Sequence, residues 1–348
     1  MNKKYLALLI IIIGLIAIWL SYGNKKAEIK IGLVTDLSGP VAYYGESTKD
    51  GAEYAIKVLK DRGININLIV EDYQTDPAQA ANATQKLVYI DKVNAMYVDF
   101  NPGAISANSI LKKTNLPFIY AAAIESPLKD NPNAYKTYLD YRSGCEMIAN
   151  EFKSKGIQKV GMLRLNLEFA DLCLEGLQKV YGKDISVESY NLGDDDVRTQ
   201  INKLEAENIQ GIVNVGFESD TFNALKVLTE TKSNLLFGTV GDTVTDKVKE
   251  NYKSYMPKIV SFGFASTLDK DLIREIESSS GKDHLSSEYA ATIAYTHIIQ
   301  LGEALNICAN DMACLKKEIE KPVEKNSLGF ERFINQVGKL NQALERYK

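Results

Sequence analysis

From Glu28 onward, short apolar, β-rich runs alternate with amphipathic stretches, and the whole alternation occurs twice. Ile29–Thr35 reads as a buried strand, and Gly45–Arg62 carries Ala52, Ala55, Ile56 and Leu59 at helical spacing. Strands at Ile66–Glu71, Ala95–Asp99 and Pro117–Ala121 follow, separated by helices at Pro77–Ile90 and Ala104–Thr114. Tyr135–Asp140 reads as a bridging strand, after which helix Gly144–Ser154 restarts the rhythm. Lys159–Leu165, Ser186–Asn191, Gly211–Val215 and Leu235–Gly238 then alternate with helices at Phe169–Tyr181, Val197–Glu207 and Ser219–Thr229. Ile259–Phe264 is a second bridging strand, and helices at Ser287–Leu305 and Leu315–Glu320 follow. Short strands that are apolar throughout are buried on both faces, as in a parallel doubly wound α/β sheet. Two such sheets joined by extended segments predict two lobes. Ligands of open α/β sheets lie beyond the carboxyl ends of the strands, so the expected site is the cleft between the lobes.

The N-terminus obeys a different rule. Met1-Asn2-Lys3-Lys4 precedes an apolar run, Tyr5–Leu20, interrupted only by Gly14. It is apolar on every face, which argues for one N-terminal transmembrane or signal helix in residues 1–23 rather than a core helix. Trp19 suits an interfacial anchor, whereas Ser21-Tyr22-Gly23 offers the small residues a signal peptidase accepts. The uncleaved anchor is favoured, with secretion after cleavage as the alternative. No cysteine follows the run, so lipidation of a new N-terminal cysteine is excluded. An exported domain makes disulfides plausible for Cys145, Cys173, Cys308 and Cys314. Cys308 and Cys314 bracket a turn they would staple, and Cys145 and Cys173 either pair or remain buried thiols.

Little in the chain suggests catalysis. It lacks Gly-x-Ser-x-Gly, a Walker motif, Cys-x-x-Cys, and Gly-x-Gly-x-x-Gly after the first strand. Of its two histidines, His297 lies on a helical face and His284 in a Ser/Gly/Lys-rich loop. Asp194-Asp195-Asp196 precedes a helix and reads as a cap, with a calcium site as the alternative, and Asp76 reads as the N-cap before Pro77. Net charge is -4, with lysine and arginine dispersed, so no concentrated basic face is available for nucleic acid. These absences favour a receptor over an enzyme, with no metal and no cofactor.

The loops after the first strands carry specific motifs. Leu37-Ser38-Gly39-Pro40 with Tyr44-Gly45-Glu46, Asp50-Gly51-Ala52-Glu53-Tyr54-Ala55, and Glu71-Asp72-Tyr73-Gln74-Thr75-Asp76-Pro77 occur in order. With them the chain resembles type I periplasmic binding proteins, in the leucine/isoleucine/valine-binding branch of ABC-importer receptors, from about residue 28 to 340. The resemblance implies two lobes joined by three crossovers, with residues 28–140 and 265–326 in lobe 1 and 141–264 and 327–348 in lobe 2. It implies hinge closure on a small molecule, an amino acid by preference, and delivery to an ABC permease. A membrane-anchored sensor on the same fold is the alternative.

Carried over by position, the resemblance implies that Asn101 and Gly103, at a helix start, and Ala122, Ala123 and Ile124, in the next loop, hold the ligand from lobe 1, with Tyr44 covering it. From lobe 2 it implies Phe169, Phe217 and Asp242, the last pairing with the ligand amine. Asn101 and Ile124 stand where the family has hydroxyls, and Phe217 where it has tyrosine.

Overall fold

The first five apolar runs pair side by side. The computed structural model describes residues 28–39, 41–264, 268–321, 330–334, 336–340 and 342–347. In it β1 (Ile29–Thr35), β2 (Ile66–Asp72), β3 (Ala95–Asp99), β4 (Phe118–Ala121) and β5 (Ala134–Lys136) form parallel pairs in the order β5-β4-β3-β1-β2. The second set, β6 (Val160–Leu165), β7 (Ser186–Tyr190), β8 (Gly211–Val213), β9 (Leu236–Val240) and β10 (Ile259–Phe264), gives the parallel order β10-β9-β8-β6-β7.

Both faces of each sheet are covered, which explains the apolar runs. In β3, Ala95 and Tyr97 join one core cluster and Met96 and Val98 another. The first cluster lies under α1 (Ala42–Asp61) and α10 (Glu288–Cys308), through Ala52, Leu59, Ala291 and Ala294. The second lies under α2 (Pro77–Gln85) and α3 (Asn101–Leu111), through Ala80, Ala83, Ala104 and Ala107. The second sheet is flanked by α4 (Tyr141–Ser154), α5 (Glu168–Tyr181), α6 (Arg198–Ala206) and α7 (Glu218–Glu230). Asp76 caps α2, accepting from the N–H groups of Ala78 and Gln79 as its spacing predicts. Gly51 lets α1 touch α10, because a Cβ there would stand 1.9 Å from the Ala291 carbonyl oxygen.

The sequence reading misses α8 (Asp246–Asn251) and α9 (Lys270–Ser280). The latter buries only Ile273 and Ile276, on one face of an otherwise polar segment. α11 (Met312–Ile319) follows α10 after a capped turn at Asp311. The end of the chain needs a correction. Residues 327–348 were assigned to lobe 2, but β11 (Phe330–Ile334) and β12 (Val337–Leu340) form a hairpin on the first sheet, beside β5. Only β13 (Gln342–Arg346) joins the second sheet, antiparallel to β10. The free edge of β5 accepts the hairpin, so the last crossing falls after Leu340. The others follow β5 and β10. The apolar run Tyr5–Leu20 and Gly329 lie outside the described residues. Among the described residues, no helix is long and apolar enough to cross a membrane.

Both cysteine pairs are joined. Cys145 of α4 bonds Cys173 of α5, with Cα atoms 5.2 Å apart, and Cys308 bonds Cys314, at 5.5 Å. The first closes 28 residues and the second only 6. In the chain-entropy picture they are worth about 3.6 and about 2.2 kcal/mol respectively. Urea unfolding of the two paired Cys→Ala variants should show the larger loss for Cys145/Cys173, and equal losses would contradict that account.

Candidate functional site

The carboxyl edges of the two sheets face one cavity of 590 Å³. Asp99 ends β3, Ala121 ends β4 and Phe264 ends β10, while Phe217 and Asp242 follow β8 and β9. Of the residues implied by resemblance, Tyr44, Asn101, Ala122 and Ala123 line it from the first sheet's side. Phe169, Phe217 and Asp242 line it from the second. Gly103 and Ile124 do not line it. Gly103 packs against Tyr73, to which its N–H donates, and Ile124 is buried in the core with its carbonyl accepting from the Tyr120 hydroxyl at 3.2 Å.

Asp242 gathers three parts of the chain. Its Oδ2 accepts from the Tyr44 hydroxyl on α1 at 3.2 Å and from the Tyr138 hydroxyl, in the crossover after β5, at 2.6 Å. Burial, reinforced by the Asp242 charge, pushes both phenols well above their ordinary value, so both tyrosines are neutral donors. A second set of bonds crosses between the lobes nearer the hinge. Glu168 of α5 accepts at 3.0 Å from the backbone N–H groups of both Glu125 and Ser126, and the Glu125 carboxylate accepts from the Arg142 guanidinium of α4 at 3.1 and 3.2 Å. The lobes are thus in contact across the cleft.

The wall is more aromatic than the carried-over residues suggest. Phe169 packs edge to face on Tyr141 at 5.3 Å and lies 6.1 Å from Phe217, so these two rings serve wall and core at once. Tyr44 meets Phe100 edge-on at 5.2 Å, and Phe264 stacks on Tyr289 at 4.8 Å. Tyr138, Tyr141, Phe264 and Tyr289 were missed. Tyr138 had a usable signal, since a segment that runs between two lobes must border the cleft between them. Phe100 had none. Its backbone sits at φ 62°, ψ 160°, a region normally left to glycine. That strain turns the ring into the cavity.

Beneath this wall lie two buried ionisable groups. Asp99 accepts from the hydroxyls of Thr48 and Thr35 and from the Phe100 N–H at 3.1 Å, yet burial pushes it up to about 6. His297 is fully buried, within hydrogen-bonding distance of Thr137 Oγ1 at 2.8 Å and Gln300 Oε1 at 2.9 Å. Burial lowers it to about 4, so it is neutral at pH 7. That matches a packed helix residue. His284 is 95% exposed. Asp194 and Asp196 accept the N–H groups of Asn191 and Arg198, as turn and helix-start caps do. Among the described residues, no group of three or more His, Cys, Asp or Glu is placed to hold a metal.

A cleft at the facing carboxyl edges of two parallel sheets, closed by bonds between lobes, is the architecture the resemblance implied, and comparison decides the matter. The periplasmic binding protein family model matches residues 28–324. The chain belongs to this family. It is of type I, in the leucine/isoleucine/valine-binding branch. One relative, the Leu/Ile/Val-binding protein homolog 6 of Brucella abortus, is 31% identical over 140 residues, covering 38% of this chain and 35% of the relative. Homolog 7 of Brucella melitensis is 26% identical over 152 residues, 42% of this chain, and the match spans 38% of its length. Among solved structures, a branched-chain amino acid transporter substrate-binding protein of Streptococcus pneumoniae, in complex with isoleucine, superposes with a TM-score of 0.75 at 17% identity, covering 91% of this chain and 95% of that one. A Rhodopseudomonas palustris solute-binding protein in complex with 4-hydroxybenzoate superposes at 0.79 with 16% identity, covering 92% of each chain. At such identities the superpositions speak for the fold. The family is extracytoplasmic, and its members bind solutes.

Asp99 and His297 make opposite contributions to the pH dependence of stability. The folded binding protein holds the Asp99 proton more tightly than the unfolded chain does, so this group costs stability as pH rises from about 4 to about 6. It holds a proton on His297 less tightly, so that group costs stability as pH falls from about 6.5 to about 4. The two slopes largely offset each other. Asp99→Asn removes the first, so its stability relative to wild type should rise by on the order of 2 kcal/mol between pH 4.5 and pH 7. A difference that did not change with pH in urea titrations would show that Asp99 ionises normally.

Proposed function

We propose that this binding protein is the substrate-binding receptor of an ABC importer, closing its lobes on a small polar solute that bears an amine. The observation that carries the reading is the Tyr44–Asp242–Tyr138 junction, which joins both lobes and a crossover inside the cavity. A solute held there touches both lobes and so favours the closed form. In this reading Asp242 meets the amine, the aromatic rings clasp the apolar part, and Tyr44, Asn101, Ala122, Ala123, Phe169 and Phe217 complete the site. An amino acid is the class expected from the family resemblance. The Tyr5–Leu20 run tethers the receptor beside its permease in the same reading, and both disulfides suit an oxidising compartment.

The reading is tested by thermal shift of the purified full chain against amino acids, amines, amides and short organic acids. A true ligand at a hundred times its Kd should add about 2.7 kcal/mol of stability without being consumed. Tyr44→Phe should weaken that ligand roughly five- to tenfold, because it removes one bond between the lobes. No shift across the whole panel, or turnover of any member, would sink the receptor reading for these classes.

A further inference from the structure

We infer that Thr221, which lies behind the cavity wall, is the positioning residue that aims Asp242 at the solute. The inference rests on the receptor reading and adds a residue to its site. Asp242 is the middle residue of the Gly241–Thr243 turn after β9, and all three residues of that turn line the cavity. Three threonines fasten the turn from below. Thr221 Oγ1, in the first turn of α7, lies 2.7 Å from Thr243 Oγ1 and 3.3 Å from Thr239 Oγ1, and the last two are 3.2 Å apart. Thr221 and Thr239 are fully buried, and Thr243 nearly so. The Thr243 hydroxyl gives its one proton to the Val240 carbonyl at 2.8 Å. It can therefore only accept from Thr221, which makes Thr221 the donor in the shortest contact of the three. A rotation of the turn that redirected Asp242 would leave a buried hydroxyl unpaired, and such groups are costly.

The residue beside Thr221 holds a different loop from the same helix turn. Asp220 Oδ2 accepts the Phe217 N–H at 2.8 Å, and the carboxylate also accepts from the Tyr190 hydroxyl, whose oxygen accepts from Asn214 Nδ2 at 2.9 Å. The loop lies tight against it, since a Cβ on Gly216 would stand 2.6 Å from Asp220 Oδ2. One turn of α7 therefore serves two cleft-facing loops of the second lobe, Asp220 the loop of Gly216 and Phe217, and Thr221 the turn of Asp242. The two roles separate chemically. Phe217 belongs to the apolar part of the site. Asp242 meets the amine and accepts the Tyr44 and Tyr138 bonds that join the lobes. Threonines that only packed α7 on β9 would affect stability and leave both of those properties alone.

The experiment compares Thr221→Val, which trades the hydroxyl for a methyl at constant shape, with Thr221→Ser, which keeps the hydroxyl, and Asp220→Ala, which releases the other loop. Calorimetric titration of the full chain uses leucine, 3-methylbutylamine and isovaleramide. Spin labels on Asn82→Cys of α2 and Thr199→Cys of α6, both exposed, read the distance between the lobes with no solute present. Thr221→Val should weaken leucine and 3-methylbutylamine about tenfold and isovaleramide less than about threefold, while Thr221→Ser stays within about twofold of wild type. Thr221→Val should also lengthen or broaden the distance, as Tyr44→Phe does, and Asp220→Ala should weaken all three solutes alike. Unchanged affinity in Thr221→Val, whatever its melting temperature, would overturn the inference, as would equal losses in Thr221→Val and Thr221→Ser. Equal losses for amine and amide with an altered distance would instead overturn the amine role of Asp242 in the receptor reading and leave Thr221 standing. If none of the three binds wild type, the receptor reading fails for these classes, and an unchanged distance in Thr221→Val overturns the inference as well. If Thr221→Val fails to fold, Thr243→Val, which removes the acceptor of the same bond, is read in the same way.

Discussion

A carboxylate in a half-closed, ring-lined space is costly unless something holds it, and the chain spends its best-placed donors on Asp242. The residue follows β9 of the second sheet, yet its two donors come from α1 of the first lobe and from the crossover after β5. Buried charge–hydroxyl bonds of this kind are stronger than neutral ones, and they lose strength steeply with distance. The separation of the lobes is therefore set inside the cavity, at a carboxylate.

The same economy shapes the opposite wall. The start of a helix ordinarily leaves free N–H groups and a partial positive charge, a ready site for an anion. At α3 Pro102 brings no N–H and the Gly103 N–H goes to Tyr73, while Phe100 holds a strained backbone and meets Tyr44 edge-on. Strain of this sort costs on the order of 1–3 kcal/mol and persists only where surrounding packing enforces it. Below it, Asp99 is buried among hydroxyls rather than offered to solvent.

The fold was largely legible because its signal is redundant. Strands buried on both faces cannot hide, and β1, β3 and β10 coincide with their apolar runs. What escaped was short or weakly apolar: α9 with its two buried isoleucines, and β11 to β13, which are edge pairings decided by which free strand edge lies near. The cavity was legible by loop position, which is why Tyr44, Asn101, Phe169, Phe217 and Asp242 all line it. It was not legible by side-chain direction. Gly103 and Ile124 stand in the right loops and face the core, whereas Tyr141 and Tyr289 stand in helices and face the cleft. Periodicity reports that a residue is buried, and a cavity wall is buried too.

The arrangement at the end of the chain has a consequence for the order of assembly. β12 completes the edge of the first sheet and β13, only a step later, completes the edge of the second. Both lobes therefore wait on the same late stretch of chain for these edge strands. Until it emerges, β5 and β10 are open edges, each a template for pairing with another copy. Completion of the two sheets is coupled through this shared segment, although their cores are built from sequence far upstream.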